Sequence, residues 1–184
     1  QVPMILGTDA AGIGPDGSPV VVHAVIGSPV HGDETLDPKR SLLSERYSGT
    51  FAERVRVPAD NLIPLPAGFT FEQASCLPTA YLTAYRMLTT KASATAGQTI
   101  LVQGAGGGVA TAAIVLGKAM GCRVWVTSRD EQKGEWAVGI GADEAFPTGA
   151  RLPDKVDAVI ETVGEATWDH SLKSLRPGGI IVVS

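Results

Sequence analysis

Short apolar runs separated by amphipathic stretches fill the second half of the chain. Each run has the length and the β-branched content of a buried strand. Strands that alternate with helices predict an α/β fold, a doubly wound parallel sheet of the Rossmann type. The five runs span residues 99–103, 123–127, 144–146, 156–163 and 180–183. The predicted helix faces between them are Val109 with Ala113, Leu116 and Met120, Trp136 with Ile140, and Trp168 with Leu172 and Leu175.

The first half of the chain has a β-like pattern. Strand-like runs at residues 20–26 and 50–57 are separated by glycine and proline. From Thr70, a predicted N-cap, the pattern becomes helical, and Pro78 is predicted to break or kink that helix. The sequence thus predicts a β region followed by alternating strands and helices.

Four glycines within five residues follow the first apolar run of the second half. Backbone N–H groups at the start of the next helix have no partner within the helix, and the helix dipole adds partial positive charge there. Glycine leaves these groups open to a pyrophosphate because it has no side chain. The literal G-x-G-x-x-G pattern is absent, and small residues stand at Ala105, Gly107 and Ala110 in its nearest register. Gly104–Gly108 therefore predicts a nucleotide-binding turn, with a tight turn that binds no ligand as the alternative.

The end of the second strand indicates which nucleotide is bound. Sites for NAD usually carry a carboxylate about 20 residues after the glycines, and none stands at residues 127–129. Ser128 and Arg129 offer a hydroxyl and a guanidinium, which suit a 2′-phosphate, and Lys133 lies one helical turn further on. These residues favour NADP(H). The alternative is that Ser128 caps the next helix together with Glu131, while the two cations are solvated.

Composition narrows the class of protein. The 184 residues are 44% hydrophobic and 18% charged, which is typical of a folded globular chain. A net charge of −4 argues against nucleic acid or an acidic membrane surface as a partner. No apolar run of the sequence reaches the ~20 residues that a membrane helix needs. Cys76 and Cys122 lack metal-ligand spacing, so we expect a cytoplasmic protein without a disulfide framework or a cysteine-built metal site.

Six motifs, in order along the chain, resemble the medium-chain dehydrogenase/reductase superfamily and, within it, the quinone-oxidoreductase-like branch. The resemblance implies a partial GroES-like β domain for the substrate at residues 1–77 and a Rossmann domain for NADP(H) at residues 78–184. The implied reaction is hydride transfer from NADPH to a quinone, an enone or another carbonyl compound. The motifs stand at residues 6–12, 49–53, 57–62, 77–85, 103–109 and 141–143.

Many members of that superfamily are zinc alcohol dehydrogenases. Their catalytic metal takes a His in a G-H-E-x-x-G pattern and a Cys just before the helix that enters the Rossmann domain. In this sequence Thr8 stands at the His position and Thr79 at the Cys position. The four-cysteine lobe of the structural zinc would lie within residues 28–47, which contain no cysteine. The departures favour a zinc-independent member.

The resemblance also assigns site residues by position. A position near the nicotinamide amide falls to Thr83. Thr8, Asp9 and Thr79, at the vacated metal site, are candidates for the substrate cleft without an assigned catalytic role. The remaining assignments are Ala105, Gly106, Gly107, Gly108 and Val109 to the pyrophosphate and nicotinamide ribose, Ser128, Arg129 and Lys133 to the 2′-phosphate, and Thr162, Val163 and Gly164 to the adenosine or ribose.

The last apolar run, residues 180–183, carries apolar side chains on both faces. In the strand order 3-2-1-4-5-6 the fifth strand is interior, so we expect it to be buried in the sheet. An exposed apolar edge there would favour association. Residues 1–12 likewise resemble the middle of a β domain. We therefore expect a functional protein that is longer at both ends and homo-oligomeric, and a 184-residue piece that is inactive in quinone reduction.

Other functions are compatible with the same fold. A methyltransferase-like domain that binds S-adenosylmethionine has a similar glycine turn, but it usually carries an acidic residue where Ser128 and Arg129 stand. A zinc-type alcohol dehydrogenase relative acting on alcohols or aldehydes is a second alternative. A non-catalytic NADPH-binding protein is a third, since fold alone does not decide activity.

Overall fold

The computed structural model describes residues 3–184, and the chain divides into two compact units. One unit ends at Thr79, and the other spans Ala80–Ser184. Gln1 and Val2, the first residues of the predicted GroES-like domain, lie outside the described residues. The first unit is built mainly of strands, whereas the second alternates strands and helices.

The unit that ends at Thr79 contains two small antiparallel sheets. One sheet has three strands in the order β1-β2-β5, and the other pairs β3 with β4. The three valines of β2 are buried because β2 is the central strand of its sheet. The elements are β1 (Ala11–Ile13), β2 (Pro19–Val22), β3 (Val25–Ile26), β4 (Ser41–Leu42), β5 (Leu62–Pro64), α1 (Phe71–Ser75) and 3₁₀ turns at Glu34–Leu36 and Ala59–Asn61.

The predicted strand at residues 50–57 is wrong. Its first residues bend away from β geometry, and Phe51 N donates to Leu6 O in a loop contact. Three charged side chains interrupt this stretch, and all of them are exposed, so no face of it is buried against a second strand. A run that is apolar only in part cannot offset the conformational entropy of an ordered strand.

The start of α1 agrees with the prediction. Thr70 is its N-cap, with Thr70 Oγ1 accepting from Gln73 N and Gln73 Oε1 accepting from Thr70 N. The chain then passes through a π-helical turn at Leu77–Tyr81, which contains Pro78. Proline has no N–H group and its ring crowds the preceding carbonyls, so regular α-helical spacing is not kept.

The second unit is a five-stranded parallel sheet with helices. Its strand order is β8-β7-β6-β9-β10, which is 3-2-1-4-5 when its strands are numbered along the chain. The predicted Rossmann fold class and its five strands are thereby confirmed. The elements are α2 (Leu82–Arg86), a π-helical turn (Met87–Lys91), β6 (Thr99–Val102), α3 (Gly108–Ala119), β7 (Arg123–Ser128), α4 (Glu131–Gly139), β8 (Glu144–Pro147), β9 (Val156–Glu161), α5 (Glu165–Ser174) and β10 (Leu175–Val183).

The predicted face of α3 is confirmed: Ala113 is buried, and the other three residues of that face pack against the core. The predicted tryptophans of α4 and α5 do not belong to the buried faces of these helices. Trp136, Trp168 and Leu172 are each more than a third exposed. The buried residues are small because helices that pack closely on a sheet leave little room, and those of α5 are polar because they bond to polar groups at the end of the sheet. The buried positions are Ala110, Ala112, Ala113, Ile114 and Gly117 in α3, Gly134 and Ala137 in α4, and Thr167, Ser171 and Ser174 in α5.

β10 lies at an edge of the described sheet, where it pairs with β9. Val182 is buried, but Ile180 is 39% and Val183 is 56% exposed. Within residues 3–184 this strand is therefore an exposed edge with apolar side chains, and its burial beside a sixth strand stays a prediction. A strand with a hydrogen-bonded neighbour on one side has part of its side chains open to solvent. Across the part of the chain that the structure describes, every helix is too short or too polar to span a bilayer.

Candidate functional site

The glycine turn joins β6 to α3 and leaves the start of this helix open. Gly104 and Gly106 have φ angles of +81° and +98°, a left-handed region that favours glycine. Gly107 is the N-cap of α3 and provides no side-chain bond to the first N–H groups. A Cβ at Gly107 would meet no described atom within 4 Å. The turn therefore offers backbone donors and free space to an anion, as a pyrophosphate site requires.

The other predicted residues of this turn connect it to the sheet and to the neighbouring helix. Ala105 N donates to Thr127 O, which ties the turn to β7. Gly108 is close to the chain before α2, because a Cβ on it would lie 3.3 Å from Ala80 Cβ. Val109 is half-buried against the core. Thr83, also half-buried, lies on α2, which packs against α3.

The end of β7 presents a hydroxyl and a guanidinium. Ser128 Oγ donates to Asp130 O and accepts from Asp130 N, whereas Arg129 is exposed. Asp130 is the N-cap of α4, since its Oδ1 accepts from Lys133 N at 3.3 Å. The alternative cap of Ser128 with Glu131 is therefore wrong. The carboxylate of Asp130, which follows Arg129, therefore caps the start of α4.

Lys133 lies against the glycine turn. A Cβ at Gly106 would stand 3.3 Å from Lys133 Cδ, so glycine at this position leaves room for the lysine stem. The turn and the start of α4 thus come together although they are separated by more than 20 residues in sequence. Their contact places a flexible cation beside the predicted phosphate-binding backbone.

The third predicted segment also meets the glycine turn. Thr162 Oγ1 donates to Gln103 O at 2.8 Å. Val163 Cγ2 lies only 2.8 Å from where a Cβ of Gly104 would be, so a side chain at that glycine is excluded. Gly164 has a φ of +93° and leads into α5. The structure therefore brings together the glycine turn, the Ser128–Lys133 segment and the Thr162–Gly164 turn.

A set of buried polar residues behind these segments was not predicted from the sequence. Gln103 follows β6, Thr127 is near the end of β7, and Glu161 ends β9, each with 0% of its surface exposed. Thr167 and Ser171 of α5 face them. Each strand residue is polar after an apolar run, and carboxyl ends of parallel strands share one edge of the sheet, where ligands bind. This repeated pattern was the available signal.

Glu161 remains ionised within this set because of its hydrogen bonds. Burial raises the pKa of the Glu161 carboxyl, but bonds from Ser171, from the N–H groups of Gly164 and Val163, and from Thr167 outweigh burial and hold the pKa below its ordinary value. These donors lie 2.5–2.9 Å from the carboxylate oxygens. The network therefore contains a fixed negative charge.

Thr8, Asp9 and Thr79 come together in the first unit. Thr79 N donates to Asp9 Oδ1 at 2.8 Å, and the hydroxyl oxygens of Thr8 and Thr79 lie 3.3 Å apart. Among residues 3–184, His, Cys, Asp and Glu side chains form no group of three that could hold a metal ion. His23, for example, pairs with Glu34 alone in the ion pair that the structure gives. These residues offer hydroxyls and one bonded carboxylate, which do not fit a zinc site.

Comparison with known proteins identifies relatives of both units. Residues 108–184 match the family described as zinc-binding dehydrogenase. An acryloyl-coenzyme A reductase from Metallosphaera sedula is 37% identical over 155 residues, which make up 82% of this chain and 46% of that protein. The chain spans about half the length of the curated relatives it matches.

Solved structures show the same similarity across the chain. An NAD-dependent alcohol dehydrogenase superposes with a TM-score of 0.91 at 31% identity, covering 100% of this chain and 61% of that one. The quinone oxidoreductase of Thermus thermophilus, solved also with NADPH, has a TM-score of 0.76 at 32% identity and covers 98% of this chain and 54% of that one. Each is an oxidoreductase by its description.

Proposed function

This chain belongs to the medium-chain dehydrogenase/reductase superfamily, and from that premise we propose an NADPH-dependent oxidoreductase that reduces a quinone, an enone or another carbonyl compound without zinc. One observation carries the proposal. The helix start at Gly107 is open, and Lys133 lies beside the preceding Gly106. Arg129 is exposed at the end of β7, and the adjacent carboxylate of Asp130 is used as a helix cap. This arrangement provides donors for a pyrophosphate and cations for a 2′-phosphate.

The choice of NADPH over NADH follows from the charges at the end of β7. An NAD site needs a carboxylate that is free to accept hydrogen bonds from the ribose hydroxyls. Asp130, the acidic residue next to Arg129, accepts from Lys133 N through its Oδ1, and Glu131 follows it in the first turn of α4. The exposed guanidinium of Arg129 is free to form paired bonds with a phosphate, so the segment favours the phosphorylated ribose.

The residues of the chain have separate tasks in this proposal. Bound NADPH would supply the hydride. The glycine turn would hold its pyrophosphate, and Val109 would support the nicotinamide side. Hydride addition to a conjugated carbonyl compound leaves negative charge on the carbonyl oxygen, which hydrogen-bond donors at the substrate would stabilise.

The substrate class is supported by the names of two relatives. One is an acryloyl-coenzyme A reductase, and another is a quinone oxidoreductase. Acryloyl thioesters and quinones both carry a carbon–carbon double bond conjugated to a carbonyl group, so a hydride can add to the carbon remote from the oxygen. We extend this shared chemistry to the present chain.

An alcohol dehydrogenase with zinc is the second candidate. The likeness to an NAD-dependent alcohol dehydrogenase and the description of the matched family favour it. It requires metal ligands, and the hydroxyl-rich set around Thr8 and Thr79 does not supply them. Elemental analysis of the purified chain, prepared without chelator, separates the two candidates: we expect no stoichiometric zinc, and one zinc per chain would favour the alcohol dehydrogenase.

Nucleotide titration tests the proposal directly. Fluorescence of NADPH and NADH and competition by S-adenosylmethionine would be measured with the 184-residue chain, followed by turnover of a quinone and an enone. We expect NADPH to bind more tightly than NADH and S-adenosylmethionine not to compete. Tighter binding of S-adenosylmethionine than of either nicotinamide cofactor would overturn the proposed function.

A further inference from the structure

The buried polar set behind the glycine turn forms one continuous chain of hydrogen bonds. Gly104 N donates to Thr127 Oγ1 at 3.3 Å, and Thr127 Oγ1 donates to Gln103 Oε1 at 2.5 Å. Gln103 Nε2 donates to Ser171 Oγ at 2.9 Å, and Ser171 Oγ donates to Glu161 Oε2 at 2.5 Å. Each hydroxyl along this path accepts one bond and donates the next. The glycine turn is thereby connected to a buried carboxylate.

The orientation of the Gln103 amide is fixed from both sides. Its oxygen accepts from Thr127, so its nitrogen must face α5. There the nitrogen donates to Ser171 Oγ and, at 2.9 Å, to His170 Nδ1. His170 Nε2 then carries the ring proton and donates to Ala150 O at 2.8 Å. A flipped amide would place its N–H donors against the Thr127 hydroxyl proton and its oxygen against the acceptors His170 Nδ1 and Ser171 Oγ, so the network has a single arrangement.

The same carboxylate sets the turn after β9. Glu161 Oε1 accepts from Val163 N at 2.8 Å and from Gly164 N at 2.9 Å. These bonds fix Val163, whose side chain occupies the space beside Gly104. Thr162 Oγ1 donates to Gln103 O. Gly104 is therefore hydrogen-bonded to Thr127 and packed against Val163. Both of these residues are connected to Glu161, Thr127 through Gln103 and Ser171 and Val163 through its own N–H group.

Glu161 is a buried carboxylate whose hydrogen-bond donors are neutral groups. The salt bridges found within residues 3–184 leave this carboxylate without a cation, so backbone N–H groups and hydroxyls alone compensate its charge. Burying a charge is costly, and apolar residues of similar volume often stabilise a core as well or better. A charge held in this way at the carboxyl ends of the strands indicates a role in shaping the site.

We propose that Glu161 is a positioning residue for the nucleotide, and this inference rests on the proposed function. Its carboxylate fixes the Thr162–Gly164 turn directly and fixes Gly104 through Ser171, Gln103 and Thr127. The glycine turn contacts the parts that NADPH and NADH share, so disturbing the network weakens both cofactors equally. Disturbing Arg129, by contrast, weakens NADPH alone.

Two buried serines of α5 provide a matched pair for the test. Ser171 joins Gln103 to Glu161, whereas Ser174, one turn further along, donates to His170 O of its own helix. Ser171→Ala, Ser174→Ala and Glu161→Gln would be compared with wild type for the Kd of NADPH and of NADH, well below each variant's Tm. Amide ¹H–¹⁵N spectra without nucleotide would follow the signal of Gly104.

We expect S171A and E161Q to raise both Kd values about tenfold with an unchanged NADPH:NADH ratio, as ~1.4 kcal/mol of lost binding energy would. The Kd values of S174A for both cofactors should stay within about twofold of the wild-type values, a difference below ~0.5 kcal/mol in binding free energy. The ¹H–¹⁵N chemical shift of the Gly104 amide should change in S171A and remain unchanged in S174A. A role in stability alone would lower Tm without changing the Kd of the folded protein.

Equal Kd values and equal Gly104 shifts for S171A and S174A would overturn the inference. Loss of NADPH affinity alone in S171A would overturn it as well. If E161Q fails to fold, the comparison of S171A with S174A alone tests whether Glu161 positions the nucleotide. Failure of the wild-type chain to bind either cofactor would refute the proposed function instead, and the Gly104 amide, which is measured without nucleotide, would still show whether the network sets the turn.

Discussion

At the scale of single residues, the proposed preference for NADPH depends on the charges at the end of β7. Arg129 is exposed, and Ser128 lies directly before it. Asp130, the adjacent acid, is fixed as the N-cap of α4. A guanidinium attracts a phosphate more strongly than a hydroxyl, because the phosphate accepts charge-assisted bonds.

Substitution of Arg129 tests this discrimination. A charge-assisted hydrogen bond contributes ~1.5–3 kcal/mol, which corresponds to roughly ten- to a hundredfold in affinity. We expect Arg129→Ala to raise the Kd of NADPH by that factor and to leave the Kd of NADH nearly unchanged, measured by fluorescence titration. Arg123→Ala, at the opposite end of β7, is the matched control. Equal loss for both cofactors in R129A would contradict the assignment.

At the scale of elements, the packing of α3 on the sheet sets the position of the glycine turn. Gly117 faces the sheet, and a Cβ on it would lie 2.6 Å from Ile100 Cδ1 and 3.2 Å from Val124 Cγ2. The helix can approach β6 and β7 closely because this position has no side chain. The N-terminus of the same helix begins at Gly108, so any displacement of α3 also moves the predicted phosphate site.

Two helix glycines therefore have opposite expected effects. Gly117→Ala should lower the free energy of unfolding by about 1–3 kcal/mol, since fully buried side chains must move to admit the methyl group. A Cβ at Gly139, in α4, would meet no described atom within 4 Å. Gly139→Ala should therefore raise the free energy of unfolding by roughly 0.5–1 kcal/mol through helix propensity. Urea unfolding measures both. A stabilising G117A would show that α3 packs less closely than described.

At the scale of the whole molecule, carboxyl groups with lowered pKa values make the free energy of unfolding decrease as the pH falls. Hydrogen bonds from Arg176 and from Thr99 N hold the pKa of Asp157 below its ordinary value. The hydrogen bonds to Glu161 have the same effect on its pKa despite burial. In the unfolded chain these groups take up protons at higher pH than in the folded one. Their stabilisation is present above the unfolded pKa and is lost as pH falls through the folded pKa.

Acid unfolding tests the contribution of Glu161. We expect the wild-type urea midpoint to fall as pH is lowered below the ordinary Glu value of 4.5, because the unfolded state then binds more protons. Glu161→Gln should be less stable at neutral pH and should show a smaller decrease in acid. Glu135→Gln, at an exposed position, is the control and should follow wild type. Parallel profiles for E161Q and wild type would argue against an ionised buried carboxylate.

The sequence by itself determined the sheet of the second unit and the location of its glycine turn. All five predicted strands form, and Thr70 is a helix N-cap as predicted. These features depend on local causes: the period of apolar residues, the capping of the first turn, and the freedom of Gly104 and Gly106 to adopt positive φ. Such causes act within a few residues and can be identified along the chain.

Only the tertiary structure decided which faces are buried and which polar residues meet. The apolar Trp168 is exposed while Ser171 on the same helix is buried, because Glu161 lies beneath it and needs donors. Lys133 contacts Gly106 because α4 and the glycine turn converge at the same end of the sheet. These contacts join residues that are 10 and 27 positions apart in sequence, so their geometry depends on how whole elements pack, which a local pattern does not specify.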